Sequence, residues 1–391
     1  MREAVIVSYA RSAVGKAPKG SLKNTRPEDL AAQTLRGLMA RTPQVSYGDV
    51  EDIIMGNAFS EAEQGLNIGR TASGLAGFPN EVPAQTVNRF CSSGVQTIAT
   101  ASNAILAGNV DIAIAGGVES MSTIPGGGNM HFPEPNLLWS NPGHYLSMGI
   151  TAEKVAEKFQ ISREKQDKLA LRSHHLAEAA QKNGYFAEQI IGIQATRALE
   201  DGTGQETFLF DQDEGIRYGQ TIEALQGLKP VFKKNGTVTA GNSSQTSDAA
   251  AFLLLMTKEK AKEFGLRPIA KVRGFTAVGV PPEIMGIGPM FAIPKVLKQT
   301  NLTIRDMDLI ELNEAFASQA IACMEGLNLP EEIVNVNGGA IALGHPLGGS
   351  GAFLTCKMLS ELRRRKQTLG LVSMCIGGGM GAAIVYEMLE S

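Results

Sequence analysis

Cysteine is scarce in this chain. The 391 residues contain four, Cys91, Cys323, Cys356 and Cys375, standing far apart with no CxxC pair. There are five histidines and none stands at metal-ligand spacing, so neither a zinc site nor a disulfide framework is expected to organise the fold. An excess of either charge is lacking too, with 39 acidic against 36 basic residues and no run of Lys or Arg interleaved with aromatics. Nucleic acid and anionic membrane are therefore poor partners for it. No stretch approaches eighteen apolar residues, which argues against a transmembrane helix. The opening segment MREAVIVSYARSAVGK moves straight into strand-like VIV without the apolar core of a secretory signal, so a reducing cytoplasm is the expected location. The one dense basic cluster, RRRK at 363–366, follows an apolar helical pattern and reads as a C-terminal helix cap rather than a phosphate site.

What the chain has in quantity is apolar residues, 43%, and glycine, 44 residues, many of them clustered. Its length and apolar content suit two or three compact domains. The glycine clusters imply that backbone approaches something closely in several places.

Strand and helix patterns alternate from the start. Residues 4–7 read as a strand, 27–40 as a helix with proline and two acids in its first turn, and DIIMGNA (52–58) as a short buried strand. Helical spacing follows over 67–76. A short extended run at 86–90 then leads into a helix carrying Val95, Ile98, Ala99, Ser102, Ile105 and Leu106 on one face, and VDIAIAGG (110–117) closes the series as a strand. The same order returns later. After a strand-like 269–273, Gly288-Pro289 precedes the helical FAIPKVLKQ, and DLIELNEA (308–315) repeats DIIMGNA with Asn five residues after Asp in both. VNVN (334–337) echoes TVN, SGAFLTCKMLSEL from Ser350 echoes SGVQTIATASNAIL from Ser93, and LGLVSMCIGG echoes VDIAIAGG. These correspondences predict an α/β fold of two similar layered halves related by duplication.

Between the halves the composition shifts, with Pro125, Pro133, Pro135 and Pro142, a GGG run at 126–128, and a helix at 162–183 that has a serine cap and an Asn183-Gly184 stop. The expected organisation is 1–119 plus 246–268 for the first half, 120–245 for an inserted loop domain, and 269–391 for the second half. The insertion is expected to form a lobe over the first half, covering a cleft fit for a large ligand.

Four stretches bear chemistry. Cys91 falls where extended chain becomes helix, and unpaired N–H groups with the positive end of the helix dipole favour a thiolate there; a buried structural cysteine is the alternative. GHPLGGSGA (344–352) puts His345 in a glycine-lined turn that the repeat makes the counterpart of the Cys91 turn. Two such turns can meet at one site as base and nucleophile, while a lone histidine in a turn is more often structural. MCIGGGMGAA (374–383) puts Cys375 at a strand end before three glycines that do not follow the GxGxxG spacing. They suit close approach of a ligand carbonyl to backbone N–H donors. In NEAF (313–316), Asn313 opens a helix, where N-capping alone would explain it.

Together VNRFCSSG, GGVESMS, GNSSQTSD, NEAFA, NVNGGAIALGHPLGGSG and CIGGGMGAA, in that order along essentially the whole chain, resemble the thiolase family, specifically its degradative 3-ketoacyl-CoA thiolases. The resemblance implies layered α-β-α-β-α halves with mixed five-stranded sheets. It implies Cys91 as acyl-accepting nucleophile, His345 as the base that takes its proton, and Cys375 as the acid/base for the acetyl-CoA carbanion. One oxyanion hole would be made by His345 and a water held by Asn313, the other by the backbone N–H groups of Cys91 and Gly377. Such donors are worth roughly 10²–10³ in rate and positioned acid/base groups about 10²–10⁴.

By the same resemblance Met148, Arg217 and Ser244 line the path of coenzyme A, in an insertion that binds it, with Phe232, Met285 and Phe316 as apolar contacts. Arg217 has an independent case as a cation for nucleotide phosphates, though a surface pair with a neighbouring acid would also account for it. Coenzyme A and acyl-CoA are then substrates, with no metal and no tightly bound cofactor. A homodimer or homotetramer and a β-oxidation multienzyme partner are implied as well.

Gly349 and Ala249 depart from the family's usual residues, without removing a reacting atom. Arg89, Ser92 and Ser147 stand where acetoacetyl-CoA-forming members tend to have Lys, Gly and His, which favours cleavage of longer 3-ketoacyl chains. The alternatives are an acetoacetyl-CoA-forming acetyltransferase, a decarboxylating condensing enzyme, against which Cys375 argues, and a non-catalytic acyl-CoA-binding relative, against which the retention of Cys91, His345 and Cys375 argues.

Overall fold

The computed structural model describes residues 2–199 and 203–389. Its main sheet is built twice over. In the first half the strand order is Ala84–Val87, Asp52–Gly56, Ile112–Ser120, Ser247–Thr257, Ala4–Ser12, with the first three parallel and the last two joined antiparallel. In the second half it is Leu309–Leu312, Leu369–Ile376, Met380–Met388, Ala270–Gly279, with the same sequence of parallel and antiparallel neighbours. The counterpart of Ala84–Val87 shrinks to one parallel bridge between Ile310 and Val334.

The sheet expected to hold five strands thus has four and a bridge in the second half, and the reason is local. Asn335 turns to φ 48 and its side chain takes over both backbone groups of Leu312, at 2.9 and 2.8 Å. The halves meet edge to edge through the antiparallel pair Ile6 and Ala270, so the two sheets run into one.

Most strands are apolar on both faces, as buried sheets require. In Ser247–Thr257, Ala250, Phe252, Leu254 and Met256 face an outer core with the helix Pro27–Ala40, while Ala249, Ala251, Leu253 and Leu255 face a central core. That central core is filled by the helices Ser93–Ala107 and Leu347–Arg365, supplying Val95, Ile98 and Ile105 from one and Phe353, Cys356 and Leu359 from the other. The helices Gly288–Thr300 and Ala317–Leu327 cover the outer face of the second half.

Signals for helix ends hold closely. Pro27–Ala40 starts on its proline with Glu28 and Asp29 in the first turn. Arg163–Lys182 is capped by Ser162, whose side chain accepts from Lys165 N–H, and stops at Asn183. Arg364 and Arg365 lie in the last turn of their helix and both reach Glu361.

The intervening segment does not lie over the first half alone. Its strands Ile190–Ile191 and Ile193–Ala198 do join the first half. Its helix Met148–Lys158, however, places Val155 against Ile284, Ile287 and Ala322, and Leu169 and Ala170 of Arg163–Lys182 enter the outer core of the second half. Their apolar faces match those second-half helices, so the segment spans both halves. Among the described residues no helix is long and apolar enough to cross a membrane.

Candidate active site

Cys91 sits in a one-turn 3-10 segment, Phe90–Ser92, between Ala84–Val87 and the helix Ser93–Ala107. Phe90 takes φ 44, a left-handed conformation that costs a bulky residue free energy. Three bonds hold it there: Phe90 N–H donates to Asn88 Oδ1 at 2.8 Å, Arg89 N–H to Ser93 Oγ at 2.9 Å, and Ser93 Oγ–H to Phe90 C=O at 2.7 Å. The thiol is buried, and the backbone N–H groups of Gly377 and of Cys91 itself point at its sulfur.

Placement at a helix start favours a thiolate, yet burial dominates here and pushes the thiol up to about 11, with the Glu119 carboxylate acting in the same direction. The expected easy ionisation is therefore corrected. The resting group is a neutral thiol that needs a base.

Cys375 is next to last in the strand Leu369–Ile376 and fully buried. Burial raises its thiol well above the ordinary value, and the neighbouring thiols of Cys91 and Cys323 raise it further. After it the chain turns through Gly377, Gly378 and Gly379. The last two have φ of 79 and 85, and a Cβ on Gly379 would come 2.4 Å from Val280 C=O. This tight turn aims Gly377 N–H at Cys91.

His345 is anchored by its own N–H, shared between Gln245 C=O and Ser247 Oγ, each at 3.1 Å. Its ring has two side-chain partners, Ser350 Oγ at 2.6 Å from Nδ1 and Asn313 Nδ2 at 3.4 Å from Nε2. A neutral ring with Nδ1–H donated to Ser350 and Nε2 accepting from Asn313 satisfies both contacts. Burial lowers the imidazole to about 4, so the neutral form prevails at pH 7.

Asn313 does not open a helix. It follows the strand Leu309–Leu312, its N–H bonds Ser373 C=O at 2.9 Å, and the helix starts only at Ala317. Phe316 remains extended, bridged to Ser243, and this delays the helix and leaves the Asn313 side chain free to face His345.

The two turns meet because their helices cross on glycine. A Cβ on Gly94 would lie 2.5 Å from Ala352 N, and one on Gly351 would lie 2.3 Å from Val95 N. Gly94 and Gly351 occupy the same place in the SGV and SGA repeats. Gly377 N–H thus reaches the Cys91 sulfur and the Cys375 thiol lies near enough to Cys91 to act on it electrostatically, while Asn313, bonded through its N–H to Ser373 C=O in the strand that carries Cys375, brings His345 to the same strand end. No hydrogen bond joins the Cys91 thiol to the His345 ring.

Met148, Met285 and Phe316 pack with Cys375 in one small apolar cluster. The Phe232 ring meets Phe316 edge-on at 6.1 Å and is 38% exposed. Ser244 is half-buried and donates its N–H to Ala315 C=O at 2.9 Å. Arg217 stands apart from this cluster, exposed, with its N–H on His174 Nδ1 at 3.2 Å; its loop reaches the site through Gln245 Nε2, which donates to Gly215 C=O at 2.8 Å.

Ser350 and Glu119 also belong to the site, although reading the sequence does not single them out. They lie inside the motifs HPLGGSG and GGVESMS, and no local pattern marks Ser350 as the partner of the His345 ring or Glu119 as a contact to the other half. Among the described residues no group of three His, Cys, Asp or Glu side chains is placed to hold a metal.

Residues 4–259 match the family model "Thiolase, N-terminal domain" and residues 266–388 match "Thiolase, C-terminal domain". A 3-ketoacyl-CoA thiolase of Bacillus subtilis is 52% identical over 391 residues, covering 99% of this chain and 100% of its own. The peroxisomal 3-ketoacyl-CoA thiolase A of Mus musculus is 46% identical, with 98% and 91% covered. Among solved structures, the Bacillus anthracis acetyl-CoA acetyltransferase superposes with a TM-score of 0.90 at 41% identity, covering 100% of this chain and 99% of that one.

Proposed function

The chain belongs to the thiolase family, and from that premise we propose that it is an acyltransferase that cleaves 3-ketoacyl-CoA with CoA, giving acetyl-CoA and a shortened acyl-CoA. The observation that carries this reading is the convergence of Gly377 N–H and Cys91 N–H on the Cys91 sulfur, with the Cys375 thiol near enough to act on it electrostatically. A neutral imidazole held by Ser350 and Asn313 adjoins them.

In the first half-reaction His345 Nε2 accepts the Cys91 proton and the sulfur attacks C3 of the substrate. With the thiol at about 11, only roughly one part in 10⁴ is ionised unaided at pH 7, so the base is needed. The N–H groups of Cys91 and Gly377 receive the oxyanion. The C2–C3 bond then breaks, its electron pair passes to the acetyl-CoA enolate, and Cys375 supplies the proton to C2. His345 and a water held by Asn313 stabilise the enolate oxygen. In the second half-reaction Cys375 regains a proton from CoA, the CoA thiolate attacks the acyl carbon, and Cys91 leaves as thiolate and is reprotonated by His345. The reverse sequence is a Claisen condensation.

Met148, Met285, Phe316, Phe232 and Ser244 line the pantetheine approach, with Arg217 outside them for the nucleotide phosphates. Arg89, Ser92 and Ser147 favour longer acyl chains. The protein acts on free CoA thioesters in the cytoplasm as a homodimer or homotetramer, without a tightly bound cofactor, alongside the other β-oxidation activities as a multienzyme partner.

Incubation with a 3-ketoacyl-CoA and no free CoA should leave an acyl group on Cys91, read by peptide mass spectrometry. An acyl group elsewhere, or none, overturns the assignment. A second reading, acetoacetyl-CoA-forming acetyl-CoA C-acetyltransferase, draws on the close structural likeness to the Bacillus anthracis acetyl-CoA acetyltransferase. Activity confined to the four-carbon substrate in a chain-length series would select it.

A further inference from the structure

The motif GGVESMS has no part in the chemistry above, yet its glutamate is the most heavily ligated carboxylate near the site. Glu119 ends the strand Ile112–Ser120 and is fully buried. Its Oε1 accepts from Gln64 Nε2 at 2.8 Å, Asn57 Nδ2 at 3.2 Å and Phe59 N–H at 3.3 Å. Its Oε2 accepts from Ala58 N–H and Gly348 N–H, both at 2.8 Å. All five partners are donors, so the ionised form is the one this cage fits.

Four of the five donors belong to the first half. The fifth, Gly348 N–H, belongs to the second, in the opening turn of the helix Leu347–Arg365 and three residues past His345. It is one of the N–H groups that a helix start leaves without an internal partner. Gly348 also has no room to move inward, since a Cβ there would lie 2.6 Å from Asn57 Cα and 2.8 Å from Glu119 Oε2. The glycine crossing at Gly94 and Gly351 sets how near the two helices come, but contact between backbones leaves them free to slide. Directed bonds across the halves oppose that: His345 N–H reaches Ser247 Oγ ahead of the helix, and Gly348 N–H reaches the fixed Glu119 carboxylate at the helix start itself.

We propose that Glu119 is a positioning residue for the acyl transfer, holding the His345 turn of the second half in register with the Cys91 turn of the first. This rests on Cys91 and His345 being the reacting pair. A displacement of about 1 Å between such groups is enough to cost on the order of 10² in rate.

The test compares three variants with wild type in steady-state kinetics and thermal unfolding. Glu119→Ala should lower kcat about 100-fold and leave the KM for CoA within about twofold, because the groups lining the CoA path lie on other elements. Glu119→Gln should rescue only part of this, leaving kcat about tenfold below wild type, because its carbonyl still accepts from Ala58 N–H and Gly348 N–H while its NH₂ meets the Phe59 N–H, a donor against a donor. Gln64→Leu removes a donor from the same carboxylate together with the Gln64 bonds to Ser120 N–H and Phe59 C=O, all on the first-half side; it should lower the unfolding midpoint and, with the Gly348 bond intact, keep kcat within about twofold.

A folded Glu119→Ala with kcat within twofold of wild type overturns the proposal, as does a Gln64→Leu loss of kcat equal to that of Glu119→Ala. Should Glu119→Ala fail to fold, Glu119→Gln decides, and wild-type kcat in that variant overturns the proposal. Acyl-enzyme trapping on the same preparations separates the two ideas: an acyl group away from Cys91 in wild type sinks the parent reading, whereas normal labelling of Cys91 together with unimpaired Glu119 variants sinks this one alone.

Discussion

Gly94 and Gly351 hold the same place in the two repeats and press the first turns of their helices together, so that a side chain on either would strike the other's backbone. The nucleophile turn and the histidine turn flank this crossing. Gly351→Ala puts a Cβ 2.3 Å from Val95 N and should destabilise the fold by about 1–3 kcal/mol or more, as overpacking against backbone does. A lower urea midpoint with unchanged m, together with reduced kcat in the remaining folded enzyme, is the expected result, and wild-type stability would refute it.

His345 provides a pH signature. Burial holds its imidazole at about 4, below the ordinary value near 6.5, so the ring stays a competent base through the neutral range. The acid limb of kcat/KM should therefore fall only as pH approaches about 4, and His345→Asn should lose about 10²–10⁴ in rate.

The same lowering has a stability consequence. The unfolded chain binds a proton near 6.5 that the folded chain refuses until about 4, so the stability contributed is complete above 6.5 and is lost as pH falls through 4. His174, also lowered to about 4, mainly by burial, adds to the slope. Urea midpoints measured from pH 7 to pH 4 should decline, and His174→Gln should flatten the decline. A flat profile in wild type would refute the linkage.

Lys357 and Glu311 form a buried ion pair at 2.8 Å inside the second half, and burial still lifts the Glu311 carboxyl to about 7 against the pull of the lysine. Lys357→Met leaves that carboxyl unpaired and should cost about 3–5 kcal/mol, less whatever protonation of Glu311 recovers. The loss should therefore be smaller at pH 6 than at pH 8, by chemical unfolding. Equal losses at both values would show that Glu311 does not take up the proton.

Arg217 is exposed and holds its place by backbone rather than side chain. Arg217→Gln should raise the KM for CoA several-fold and leave kcat nearly intact, the pattern of a group that binds substrate and transition state alike. A fall in kcat without a change in KM would remove it from the nucleotide path.

Much of the architecture was open to reading in the sequence because its signals are local. The helix Pro27–Ala40 declares itself by proline and acids at its start, Arg163–Lys182 by Ser162 and Asn183, and the repeat by Asn57 and Asn313 at equal distances from Asp52 and Asp308. The repeat even foretold which turns would be equivalent. Asn313 shows where such reading stops. An asparagine before Glu-Ala-Phe has the look of a helix cap, and the bond from its N–H to Ser373 C=O and the bridge from Phe316 to Ser243, both to partners distant in sequence, keep that residue out of the helix.

By itself the sequence determined the alternating elements, the duplication, the motif residues and the glycines that permit close approach, since these depend on residue type and on spacings of a few positions. Tertiary structure alone decided the ionisation of Cys91, the partners of the His345 ring and the reach of Glu119 across the halves. Those depend on burial and on distances between residues far apart along the chain: a helix start favours a thiolate, but only the packed surroundings could show that the loss of water outweighs it.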